Sequence, residues 1–73
     1  MKKQILILAK KIAAELENEI EYKLRIEEFY RIRDNEYNKL VLGGNIVDTD
    51  DNYDNFNTYL ARYVNKNNGI DWG

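Results

Sequence analysis

Two stretches of the chain carry apolar residues at helical spacing. Ile5, Leu8, Ala9, Ile12, Ala13 and Leu16 fall on one side of a 3.6-residue repeat, with Lys3, Lys10 and Glu17 mostly on the other. This predicts an amphipathic helix from about residue 2 to 17. Tyr53, Phe56, Leu60, Tyr63 and Val64 step in the same way and predict a second helix from about 50 to 67. Asp48-Thr49-Asp50-Asp51 offers N-cap candidates before it, and its carboxylates complement the positive end of a helix dipole. Asn67-Asn68-Gly69 supplies a C-terminal stop.

Residues 19–42 can be read in two ways. As a helix, Tyr22, Ile26, Phe29, Tyr30, Tyr37, Leu40 and Val41 lie in a band of about 120°, interrupted chiefly by Arg33. Glu19–Lys23, Glu21–Arg25 and Glu27–Arg31 are acid-first i,i+4 pairs, and Gly43 sits where a helix C′ residue belongs. As strand, Ile20, Tyr22, Leu24, Ile26, Tyr30 and Ile32 share one parity, while Glu21, Lys23, Arg25, Glu27, Arg31 and Arg33 share the other. Positions 20–33 contain no Gly, Asn or Asp to turn so long a strand back, and this favours the helix.

The expected fold is therefore a mostly α, single small domain of residues 1–73. It comprises one or more amphipathic helical segments over 2–42, a Gly-Gly loop over 43–49 and a C-terminal helix over 50–67. The alternative is α+β, with a three-stranded antiparallel meander between two helices, turning at Asp34-Asn35 and Gly43-Gly44.

Composition narrows the function more than the fold. The chain has 44% apolar residues, enough for a core, but no His, Cys, Ser or Pro. Ser-His-Asp and Cys-His catalysis, disulfides and sulfur- or imidazole-ligated metals are thereby removed. No glycine-rich phosphate loop or supported nucleophile is present either, so a non-catalytic role without metal or cofactor is expected. The apolar run Ile5–Ala9 stops at Lys10-Lys11, short of the roughly 7–15 residues of a signal h-region. Nothing approaches the roughly 20 apolar residues of a membrane span, and cytoplasmic residence is the default expectation.

The net charge of −2 is unevenly spread. Residues 1–33 carry eight Lys/Arg against six Glu, and residues 34–73 carry three against seven Asp/Glu. The acidic half suits a basic protein partner, and its Asp48, Asp50, Asp51 and Asp54, extended by Asp34, Glu36 and Asp71, would present negative charge at a density like that of nucleic acid. Asp48, Asp50, Asn52 and Asp54 also match the first positions of a calcium loop. That match fails at Tyr53, where glycine is needed, and at Tyr59, where a bidentate Glu belongs.

Of the six tyrosines, Tyr22, Tyr30, Tyr53 and Tyr63 fit core-facing stripes. Tyr37, Tyr59 and Trp72 are left as candidate interface anchors. The expected partner-binding set is thus Asp48, Asp50, Asp51, Asp54, Tyr37, Tyr59 and Trp72. The expected partner is a larger basic or nucleic-acid-binding protein, with a homodimer as the expected oligomer and no membrane or small-molecule ligand. In size and charge, though not in motif, this is the profile of small inhibitors that phages and mobile elements direct against nucleic-acid-processing proteins. The alternative is a small DNA-binding regulator using Lys2, Lys3, Lys10, Lys11, Lys23, Arg25, Arg31 and Arg33.

Overall fold

A computed structural model describes residues 2–72. The order is α1 (Lys2–Glu19), β1 (Leu24–Arg25), α2 (Ile26–Leu42), α3 (Asp50–Asn67) and β2 (Ile70–Asp71). The protein is mostly α, and the meander does not form. Among the described residues the only sheet is the parallel pairing of β1 with β2, Leu24 opposite Ile70 and Arg25 opposite Asp71.

The core is built on α1 and α3. Ile5, Ala9, Ile12, Ala13 and Leu16 of α1 meet Phe56, Leu60 and Val64 of α3, all buried as their spacing predicts. Burying a side chain of the size of Ile5, Phe56 or Leu60 contributes about 1.5–3 kcal/mol. The two helices run parallel: just past their carboxyl ends, the Asn68 amide Nδ2 donates to the Ile20 carbonyl at 2.6 Å. The helix α2 starts beside β2 and runs back antiparallel, adding Phe29 and Tyr37 to the core.

Helix α1 stops at Glu19 although neither Gly nor Pro interrupts the sequence there. The break at 20–25 has a tertiary cause. Leu24 is fully buried, its N–H donates to the Gly69 carbonyl at 3.0 Å, and Ile20 receives the Asn68 bond. These contacts hold the linker extended, and the alternation read over 20–33 becomes real strand only at Leu24–Arg25. Two of the expected i,i+4 pairs, Glu19–Lys23 and Glu21–Arg25, fall across this break and are not helical pairs. Gly69 adopts φ +85°, the left-handed conformation that ends α3 and turns the chain into β2.

Two assignments of tyrosines to the core are corrected. Tyr22 lies in the break and Tyr30 on a flank of α2 beside Arg33, and both rings are exposed. Tyr37, three helical turns from the start of α2, is 4% exposed and belongs to the core.

Candidate interaction surface

The amino end of α3 is positioned by a loop that its own side chains hold in place. Thr49 is the N-cap: its hydroxyl accepts from the Asn52 N–H at 3.1 Å. The Asn52 amide, buried, donates to the Val47 carbonyl at 2.8 Å. From below, the Tyr37 hydroxyl donates to Asp48 Oδ1 at 3.0 Å. Ile46, also buried, plugs the loop into the core. Loop and helix start are thus fixed to each other by Thr49 and Asn52 and to α2 by Tyr37, and the aspartates around them inherit that placement.

Asp50, Asp51 and Asp54 occupy the first turn and a half of α3 and project within about 100° of one another on its solvent side. All three are exposed, as is Asp48 just before them. Asp51 accepts a long bond of 3.4 Å from the Asn55 amide, while Asp50 and Asp54 make no hydrogen bond or ion pair among the described residues. The helix dipole offsets part of their mutual repulsion. Because α3 is continuous from Asp50, most of the would-be calcium loop is wound into helix. Among the described residues no group of three or more carboxylates is gathered closely enough to hold a metal ion.

Beside this acidic face lies a polar node between α2 and α3. The Arg33 guanidinium sits 4.7 Å from the centre of the Tyr30 ring and 5.2 Å from that of Tyr53. Its Nη1 donates to Asn57 Oδ1 at 3.1 Å and its Nε to Asp34 Oδ1 at 3.0 Å. The Tyr53 hydroxyl closes the circuit on the same carboxyl oxygen at 2.7 Å. These bonds hold the Asp34 carboxyl below its ordinary pKa, with the Tyr53 hydroxyl the largest cause and Arg33 next. Burial and the Asp34 bond push the Tyr53 hydroxyl up. Burial, with Asp48 second, pushes the Tyr37 hydroxyl up to about 12. Asn57 was not singled out by the sequence, Arg33 was expected only as part of a basic stripe for DNA, and Asn52 only in the failed calcium-loop match. The available signal was Arg33 itself, a cation inside an otherwise apolar helical band.

The seven expected partner-binding residues do not share one surface. Asp48, Asp50, Asp51 and Asp54 come together. Tyr37 lies beneath them, too buried to act as an exposed anchor, and Tyr59 is half-buried in mid-helix with Arg62 above its ring. Trp72 is 53% exposed but follows β2 at the far end of α3, roughly 27 Å away. There its ring packs against Phe29, centroids 6.3 Å apart. Asp71 lies at that end too and does not extend the acidic face, and Glu36 is paired with Lys39 at 3.5 Å. No helix among the described residues is long and apolar enough to cross a membrane. Compared with family models, curated proteins and solved structures, the chain matches none.

Proposed function

We propose that this chain is a non-catalytic, protein-binding regulator whose acidic face at the amino end of α3 occupies a basic groove on a nucleic-acid-binding protein and inhibits it. One observation carries the reading: Asp50, Asp51 and Asp54 stand exposed on one side of a buttressed helix end, without a cationic partner among the described residues. Four residues of helix rise about 6 Å. Three carboxylates over that length compare with roughly 3.5 phosphate charges on the same length of duplex, at one per about 1.7 Å. Asp48 continues the row, while Asp34 is largely neutralised by Arg33. A groove lined with Arg and Lys and shaped for a polyanion is the complementary surface. An inhibitor from a phage or mobile element, aimed at a host defence nuclease or a similar DNA-handling protein, is the biological setting that such a surface suits.

The test is affinity capture from cell lysate, with the wild-type chain and with Asp50→Lys/Asp51→Lys/Asp54→Lys immobilised side by side. The expected result is recovery of basic nucleic-acid-binding proteins by the wild type, released by added duplex DNA and absent from the variant. Equal recovery on both, or capture that duplex DNA leaves untouched, would refute the proposal.

A further inference from the structure

Helix α1 carries its charges in two blocks. Residues 2–11 hold Lys2, Lys3, Lys10 and Lys11 and no acid, while residues 12–19 hold Glu15, Glu17 and Glu19 and no base. Its first turn therefore has no carboxylate and its last turn no cation. This is the reverse of what a helix macrodipole favours, and the reverse of α3, which opens on Asp50 and Asp51 and closes on Lys66. Among the described residues none of these seven α1 side chains is engaged in an ion pair. The one contact among the described residues that satisfies any of them is Lys10 over the Tyr63 ring, at 5.8 Å.

The outward side of α1 is a free helix face. Lys3, Ile7, Lys10, Ala14 and Glu17 recur at steps of four and three residues and are all exposed, with Ile7 at 57%. The opposite side is sealed against α3. We propose that this face pairs with α1 of a second copy of the chain, antiparallel about a two-fold axis near Ala14. The pairing is independent of the acidic face of α3.

Charge complementarity selects that occupant and that direction. Antiparallel alignment lays Lys10 and Lys11 of each α1 along the glutamate block of the other. With the axis between residues 13 and 14, Lys10 faces Glu17 of the second copy on one flank of the seam, and Lys11 faces Glu15 on the other flank. The two-fold axis doubles these to four pairs, an isologous arrangement. It also brings Lys10 and Lys11 to the carboxyl end of the facing α1, so each helix supplies the cations that its neighbour's last turn lacks. Ala14 at the crossing lets the axes approach within the usual 8–10 Å. A parallel pairing would set lysine against lysine and glutamate against glutamate. The seam holds little apolar surface beyond Ile7 and Ala14, so the association depends on salt.

Sedimentation of the full chain reads this directly. A dimer is expected at about 0.02 M salt and a monomer at about 0.5 M. Lys10→Glu/Lys11→Glu leaves only carboxylates at the four seam positions, and Glu15→Lys/Glu17→Lys leaves only lysines. Each variant alone is expected to self-associate at least about tenfold more weakly, while the two mixed in equal amounts restore the dimer. The chain has no cysteine, so Ala14→Cys provides a second reading. It is expected to form a disulfide-linked dimer under mild oxidation, whereas Lys2→Cys, remote from the axis, does not. A chain monomeric at low salt, a dimer indifferent to both reversals, or mixed variants that stay apart would overturn the proposal. Charge reversal at Asp50, Asp51 and Asp54 leaves the dimer intact, which separates this test from that of the acidic face.

Discussion

Replacing Arg33 tests how α2 is held to α3. The side chain is only 15% exposed and satisfies three kinds of partner at once. A charged hydrogen bond such as that to Asn57 contributes about 1.5 kcal/mol. Stacking over Tyr30 and Tyr53 contributes about 0.5–1 kcal/mol for each ring. The pair with Asp34, whose side chain is 53% exposed, adds at most about 1 kcal/mol. These terms share one side chain and overlap, so Arg33→Ala should cost about 2–3 kcal/mol. For a chain of 73 residues the total stability is about 4–11 kcal/mol, so the loss is a large fraction of the whole. Urea unfolding followed by far-UV circular dichroism should show it, and thermal unfolding should show Tm lowered by about 10–20 °C. Arg33→Lys should recover less than half, because an ammonium neither lies flat on two rings nor spans Asn57 and Asp34 together. A loss below about 0.5 kcal/mol for Arg33→Ala, or full stability in Arg33→Lys, would refute the reasoning.

Three further outcomes follow from the same geometry. The Tyr37 hydroxyl is raised to about 12 in the fold from an ordinary 10.0, so its contribution is complete below pH 10 and is lost as pH climbs through 12. Alkaline unfolding should therefore fall off more gently in Tyr37→Phe than in the wild type, by about 2–3 kcal/mol across that window; identical profiles would contradict the burial of this group. Asp34 is shifted the other way, so its share of stability is present above its ordinary pKa and disappears as pH falls through the lowered one. Carbon-detected NMR titration should find its midpoint below the usual aspartate range, moving upward in Tyr53→Phe; an unmoved midpoint would show that the 2.7 Å bond does not form. Gly69→Ala forces a Cβ into φ +85° and should cost about 1–2 kcal/mol in urea, freeing β2 from β1; a neutral effect would show that the terminal turn is not held as described.

The helices were legible where a single local pattern decided them. Ile5 to Leu16 and Phe56 to Val64 are spaced for burial on one side, and Thr49 and Gly69 mark the ends of α3 in the expected places. The break between α1 and α2 was not legible, because its cause lies 46 residues away: Leu24 is held extended by Ile70, and no residue between 20 and 25 advertises a stop. Losing those six residues from the helix also changed the phase of the apolar band. Tyr22 thus went outward, while Tyr30 and Tyr37, two turns apart on one side of α2, differ in what covers them: the 46–49 loop and the start of α3 close over Tyr37 alone. The aspartates gathered as expected because they are close in sequence and on one helix. Trp72 did not join them, since the parallel course of α1 and α3 places the chain's end opposite the start of α3. Arg33 looked like an intruder on an apolar stripe; only the partners on α3, Tyr53 and Asn57, make it a structural cation.

The most direct test of the account is competition at the partner's own groove. A basic protein captured on this chain is loaded with a fluorescent duplex and titrated with wild type or with Asp50→Asn/Asp51→Asn/Asp54→Asn, while anisotropy reports the bound DNA. Displacement by the wild type is expected, and displacement at least about tenfold weaker by the variant, since Asn matches Asp in size and the three substitutions remove charge without changing shape. Equal displacement by both proteins, or a duplex that stays bound beside the wild-type chain, would contradict it.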